Sequence, residues 1–293
     1  MKFGLHALSF HQISGESLVA ICSHLQSLGH EIRASRSIAK SLEKAGIQIP
    51  PDHLFGLEDT LNDIDILLSL GGDGTILDSL LYAVPFKIPV LGINFGKLGF
   101  LATAQASNLK NWVDQIQLGE FFIENRALIE IFSPDETNLF EPHNFALNEI
   151  SITKRDSASM ITIRTKVNGE FLNEYWGDGL IISTATGSTG YSLSCGGPIL
   201  MPDSKGLIVN PISPHNLSMR PLILPEDAEI EITPMGRSNK AMLSMDSRSK
   251  AVSRNQTFRI KVSKSKARLV RLPNTSFAQT LREKLFWGKD LRN

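Results

Sequence analysis

The clearest hydrophobic pattern in the chain is Ile64-Asp65-Ile66-Leu67-Leu68-Ser69-Leu70, nearly all apolar and running directly into Gly71-Gly72-Asp73-Gly74-Thr75. A run of this kind reads as a parallel strand covered on both faces. Around it, strand and helix periods alternate. A strand is expected near Phe3–Leu8, a helix over Ser17–Leu28 closed by Gly29, a strand at His30–Ala34 and a helix at Ile38–Ala45. After the Pro- and Gly-bearing connection from Gly46 to Asp59 come the strand above, a helix over Thr75–Tyr82, a strand at Val90–Ile93 and a helix over Ala106–Leu118. Repeated β-α units of this sort predict a Rossmann-like sheet.

Beyond Gly119 the period shortens to two. Ile161, Ile163 and Val167 alternate with Thr162, Arg164 and Lys166, and Asn168-Gly169 follows, the pair suited to the two positive-φ positions of a tight hairpin. Phe171–Trp176 is the return strand, and further strands are predicted at Ala127–Phe132, Ala146–Thr153, Gly179–Ser183, Glu229–Thr233, Met242–Met245 and Thr257–Val262. The second part of the chain is therefore all-β. A last helix is marked by Phe277, Leu281 and Leu285, four apart, and is expected to pack back on the first domain.

At 293 residues the chain has room for two domains. Its 30 basic residues balance its 30 acidic ones, so bulk charge favours neither a nucleic acid nor an anionic membrane. Arg259, Lys261, Lys264, Lys266 and Arg268 fall on or just after the last strand and read as a solvated face. Cys22 and Cys195 are too few for a disulfide scaffold and lack zinc-site spacing, which fits a reducing cytoplasm. No stretch approaches the ~20 apolar residues of a membrane span, and no export signal is read at the N-terminus.

The first chemical motif is Gly71-Gly72-Asp73-Gly74-Thr75, placed where a parallel strand meets a helix. Glycines there let backbone approach a phosphate, and the helix N-terminus favours an anion. Asp73 stands out, because a carboxylate beside polyphosphate is unwelcome unless it binds Mg²⁺ or takes a proton. The plain alternative is a tight turn with Asp73 as a helix cap. Competing motifs fail on spacing. Gly92–Leu98 is one residue short of a P-loop and lacks its Ser/Thr, and Leu77 occupies the third glycine of a dinucleotide fingerprint. Ser188 and Ser192 lack the flanking glycines of a nucleophile elbow. The seven histidines, His6, His11 and His215 among them, show no metal spacing.

The second motif runs from Gly177 through Asp178 to Pro198 and crowds Ser183, Thr184, Thr186, Ser188, Thr189, Ser192 and Ser194 around Tyr191. Neutral hydroxyls suit ribose, phosphate or amide, and Tyr191 offers a face to a base. The alternative, a flexible Gly/Ser linker, does not account for Leu180-Ile181-Ile182 ahead of it.

Together with Asn148-Glu149, Asn94–Leu101, Ser213–Ser218 with Arg220-Pro221-Leu222, and Met245-Asp246, these stretches resemble the NAD kinase family over essentially the whole chain. The Gly-Gly-Asp-Gly-Thr loop alone is shared with lipid kinases and, loosely, phosphofructokinases; the combination is specific. The resemblance implies a Rossmann-like α/β domain over residues 1–120, completed by 274–293, and a β-sandwich over 121–273, with the active site between them. It implies transfer of a phosphoryl group from Mg²⁺-bound ATP to the 2′-hydroxyl of the adenosine ribose of NAD, in a cytoplasmic homodimer or homotetramer. Asp73 matches the proposed general base, with Gly72, Gly74 and Thr75 beside it. Asn148 and Glu149 match the pair on the ribose and adenine side, Asp178 the carboxylate at the nicotinamide end, and Phe100 a residue flanking adenine. Thr186, Thr189, Gly190, Tyr191, Ser192 and Ser194 match the pocket-lining loop, and Ser159, Asp246 and Arg248 further contact positions. The metal is implied to travel with ATP, with no side-chain cage of its own. Ala185 and Gly190 depart from the family's usual loop, losing a proline and gaining a permissive glycine. Trp176 replaces a common Arg. A lipid or sugar kinase sharing the loop, and a non-catalytic NAD(P)-binding regulator, are the competing readings; the Tyr191 loop opposes the first and Asp73 the second.

Overall fold

The computed structural model describes residues 1–8, 13–96, 99–135, 137–155, 159–236, 239–273 and 275–287. His11, and Lys97 and Leu98 of the Asn94–Leu101 stretch, lie outside these residues. The chain divides into two compact units, Met1–Asn125 with Ala267–Asn293, and Arg126–Lys266.

The first unit alternates strands and helices: β1 (Lys2–His6), α1 (Gly15–Ser27), β2 (Glu31–Ser35), α2 (Arg36–Lys44), β3 (Leu54–Phe55), β4 (Ile66–Leu70), α3 (Asp73–Ala83), β5 (Val90–Asn94), β6 (Ala104–Gln105) and α4 (Leu109–Gln117). Its sheet runs in the order β5-β4-β1-β2-β3 with every pair parallel, and β6 pairs with β5. Every residue of β4 is buried, as its uninterrupted apolar run requires. Because helices cover both faces, Phe3, Leu5, Leu68 and Leu91 of the strands pack with Leu18, Ile21, Leu25, Ile38 and Trp112 of the helices. Helix α1 starts at Gly15, just ahead of the Ser17 that its apolar period suggests, because Ser14 caps it by accepting from the Ser17 amide.

The strands of the second unit are β7 (Phe122–Phe132), entering from the first unit, β8 (Glu149–Lys154), β9 (Ile161–Val167), β10 (Glu170–Gly177), β11 (Gly179–Thr184), β12 (Gly206–Ile212), β13 (Leu222–Pro225), β14 (Ile230–Met235), β15 (Lys240–Met245), β16 (Arg248–Ser253) and β17 (Phe258–Arg271). The unit is built from antiparallel pairings, β9 with β10 and β14, β14 with β17, and β11 with β8 and β12 among them. One sheet is ordered β13-β12-β11-β8-β15-β16, and β10-β9-β14-β17 forms the other layer of a sandwich. Ile150, Ile152, Leu180 and Ile182 from the first layer meet Ile161, Ile163, Ile230 and Ile260 from the second. The β9–β10 hairpin turns at Asn168 (φ 52°) and Gly169 (φ 81°), the two left-handed positions that Asn-Gly tolerates. Along β17 only part of the basic run is a solvated face: Lys264 and Lys266 are exposed, Lys266 paired to Glu226, and Arg259 lies near Glu229, whereas Lys261 sits over the Phe132 ring and Arg268 donates to the Lys87 carbonyl. The hydroxyl-rich stretch forms a 3-10 turn at Thr186–Thr189 and a short helix, α5 (Tyr191–Ser194). The last helix, α6 (Phe277–Leu285), belongs to the first unit and sets Phe277 against Phe100, ring centroids 6.2 Å apart.

Candidate active site

In the first unit, β4 delivers Gly71-Gly72 to the start of α3, whose N-cap is Gly72 with no side chain to cap the first amides. These unsatisfied donors and the helix dipole make an anion site. A cleft of about 480 Å³ opens here, lined by Gly71, Gly72, Asp73, Asn94, Phe95, Gly96, Gly99 and Lys284.

Asp73 is fixed within it. Its Oδ2 accepts from the Phe100 amide at 2.8 Å, and its Oδ1 from the Leu101 and Ala102 amides at 3.0 and 3.1 Å. The turn can come so close only because residue 99 is glycine, since a Cβ there would lie 2.0 Å from Asp73 Oδ1. Phe100 thus serves by its backbone, while its ring rests on Phe277. Thr75 donates its amide to the Gly72 carbonyl at 3.0 Å, closing the first turn, and Gly74 is exposed.

The second unit repeats the same device. Asp246, ending the β15 hairpin arm with φ 49°, accepts from the amides of Leu147, Asn148 and Glu149 at 2.8, 2.9 and 3.1 Å. Its carboxylate therefore sets the backbone of the Asn148-Glu149 pair. The 3-10 turn closes on the same pair. Thr184 donates its hydroxyl to the Leu147 carbonyl at 2.6 Å, and a Cβ at Gly187 would sit 2.1 Å from the Asn148 carbonyl oxygen. Gly190 lies over both side chains, since a Cβ there would be 3.0 Å from Glu149 Oε2 and 3.5 Å from Asn148 Nδ2. Glu149 Oε2 is buried with no hydrogen-bond partner. Burial, and then the Asp246 carboxylate, push the Glu149 carboxyl from its ordinary 4.5 up to about 8, so at neutral pH it is protonated and able to donate.

The other sequence-derived positions separate into two groups. Tyr191 and Ser194 are exposed and Thr189 is partly so, leaving them accessible to a ligand. Asp178 pairs with Lys154 at 2.7 Å, near Ser159, which lines a small basic recess with Lys154 and Arg155. Trp176 is 48% exposed, its ring 4.2 Å from that of His215. By contrast, Ser192 is fully buried and accepts from Asn210 Nδ2, and Thr186 accepts from buried Arg126. Arg248 donates to the His143 and Phe145 carbonyls and covers the Phe140 ring. These three hold the loops that carry the pair. Lys284, distant in sequence and in no motif, is the residue of the first cleft that sequence reasoning missed; only its helical spacing from Leu281 hinted at its face.

Comparison with known proteins identifies the family. Models of the ATP-NAD kinase N-terminal and C-terminal domains match residues 24–121 and 147–272. An NAD kinase of Cytophaga hutchinsonii is 42% identical with the whole of both chains covered, and one of Bacteroides fragilis is 35% identical, again over the full length of both. Among solved structures, yeast NADH kinase complexed with NADH superposes with a TM-score of 0.85 at 25% identity, covering 99% of this chain and 89% of that one. An Archaeoglobus fulgidus NAD kinase in complex with ATP gives 0.74 at 26% identity, covering 98% and 99%. With a glycine-lined anion cleft at Asp73, a fixed Asn148-Glu149 pair and likeness along its entire length, the chain belongs to the ATP-NAD kinase family.

Proposed function

We propose that the chain phosphorylates NAD at the 2′-hydroxyl of its adenosine ribose, with ATP as donor and Asp73 as general base. The observation that carries this reading is the way Asp73 is held. A carboxylate offers about four acceptor sites, and three amides leave one for an incoming hydroxyl while fixing both oxygens in place. The 2′-oxygen attacks the γ-phosphorus as its proton passes to Asp73, the bond from that phosphorus to the bridging oxygen breaks, and ADP leaves with the bond's electron pair. Asn148 and Glu149 take the ribose and adenine side of the dinucleotide, and Asp178, Thr189, Tyr191 and Ser194 the rest.

Among the described residues no group of three His, Cys, Asp or Glu could hold a metal. With the Asp73 carboxylate taken up by three amides and the incoming hydroxyl, the cleft offers a metal little beyond the Asn94 carboxamide, which fits a Mg²⁺ that takes its ligands from water and triphosphate. Bound with ATP, that ion would neutralise charge on the β- and γ-phosphates. We also place the chain in a reducing cytoplasm as a homodimer or homotetramer, consistent with the free thiols of Cys22 and Cys195.

Replacing Asp73 with Asn tests the role directly. Loss of a general base costs about 10²–10⁴ in rate, so kcat should fall by that factor with KM for ATP little changed and no rescue by added Mg²⁺. Rescue by Mg²⁺ with a raised KM for ATP would make Asp73 a metal ligand, and near-normal turnover would remove it from the chemistry.

A further inference from the structure

The donor cleft has an electrostatic deficit. A triphosphate brings about four negative charges toward a wall whose one acidic side chain, Asp73, repels it, and backbone amides alone carry only partial charge. Among the described residues lining this cleft, Lys284 is the one cation. It comes from the far end of the chain, on α6, and its position there follows from the helix. Ser276 caps α6 through the Gln279 amide, and Thr280 and Leu281 are buried at 8% and 7% exposure. Lys284 lies four residues after the first and three after the second, on the same face. It is partly buried, and no ion pair or hydrogen bond engages it among the described residues. The neighbouring Arg282 and Glu283 lie off this face and are exposed.

A partly buried lysine that lines the same cleft as the uncapped start of α3 and has no partner among the described residues gains nothing for stability from an ion pair there. We infer that Lys284 binds the phosphates of the donor nucleotide, acting as a mobile point charge that offsets Asp73 and completes the cleft from the C-terminal helix. This inference rests on the ATP-dependent reading above. A compact, flexible ammonium suits it, since the group can follow the terminal phosphate as the bond breaks.

The test uses the full chain and two readouts. In steady state, Lys284→Met should raise KM for ATP by about 10- to 100-fold, leave KM for NAD within about threefold, and flatten the salt dependence of KM for ATP; Lys284→Arg should recover a large part of the loss. Calorimetric titration with a non-hydrolysable ATP analogue, without NAD, should show the same weakening. Arg282→Met is the control cation and should behave as wild type. Should the Met variant not fold, Lys284→Gln is read by the same rule. Unchanged ATP kinetics and analogue binding in a folded Lys284 variant of an NAD-phosphorylating enzyme would overturn the role of Lys284 alone. An unmodified chain that binds the analogue but leaves NAD untouched would overturn the acceptor reading instead, with the Lys284 effect on analogue binding still deciding this proposal. Equal losses in the Arg282 and Lys284 variants would reduce the effect to general charge and overturn it as well.

Discussion

Substituting Gly99 with Ala adds one methyl group and no polar atom, yet it should damage catalysis as severely as many changes to a reacting group. Gly99 does not occupy the left-handed region, so alanine adopts its backbone without strain and the effect falls on the contact alone. The new carbon would lie 2.0 Å from Asp73 Oδ1, 2.7 Å from Cγ and 2.9 Å from Oδ2. Non-bonded atoms settle at roughly 3.5 Å, so either the carboxylate or the turn must withdraw by on the order of 1 Å. Asp73 cannot move that far and keep its bonds to the Phe100, Leu101 and Ala102 amides. Each hydrogen bond to a charged group contributes about 1.5–3 kcal/mol, so losing one or two should lower stability by a few kcal/mol. A misplacement of about 1 Å in a reacting group costs on the order of 10²-fold in rate. NAD-dependent ADP release, measured on protein shown by circular dichroism to be folded at the assay temperature, should fall at least 100-fold in kcat. KM for NAD should stay within about threefold. Turnover within threefold of wild type would mean that the carboxylate's placement is not what the reaction depends on.

Glu149 makes stability depend on pH with a defined sign. Its carboxyl titrates near 8 in the folded chain and near 4.5 when unfolded, so the folded state binds its proton more tightly; that stabilisation is full below about pH 4.5 and lost as pH rises through about 8. Thermal unfolding across pH 5 to 9 should therefore show Glu149→Gln gaining on wild type as pH rises, and parallel curves would place an ionised Glu149 in the fold. At the other end of the dinucleotide site, Trp176→Arg adds a positive charge beside His215 at an exposed position. An exposed charge is worth up to about 1 kcal/mol, so the ratio of kcat/KM for NAD⁺ over NADH should shift toward NADH by up to about fivefold; no shift, or one the other way, would leave Trp176 a packing residue.

The elements most legible in the sequence were those written locally. The apolar run ending at Leu70 and the Asn168-Gly169 turn need no distant partner to be read, and both lie where the pattern put them. Strands β12 and β13 are not legible locally, because Asn210 and Pro211 interrupt the first and prolines bracket the second; pairing of β12 with β11, and of β13 with β12, overrides those local signals. The site was legible as residues and not as geometry. Motif resemblance supplied Asp246 and Arg248, but that the one sets three amides of the Asn148-Glu149 segment and the other ties down the His143–Phe145 loop is a property of tertiary hydrogen bonding. Ser192 sits in the same hydroxyl-rich stretch as Ser194, yet one is enclosed against Asn210 and the other is exposed, a difference that one turn of α5 creates. The spacing from Leu281 marks the face of α6 that carries Lys284, but nothing local to the helix says that this face borders the Gly71–Asp73 loop.

If the adenosine-ribose 2′-hydroxyl is the acceptor, a dinucleotide lacking that oxygen cannot be phosphorylated there. Incubation of the purified chain with Mg²⁺-ATP and NAD should release one ADP for each NAD consumed and give a product that an NADP-specific dehydrogenase reduces. The analogue with a 2′-deoxy adenosine ribose should yield no ADP above the rate seen without any dinucleotide. Phosphorylation of that analogue at a rate comparable to NAD, or ADP release that does not depend on NAD, would mean that the 2′-hydroxyl is not the acceptor.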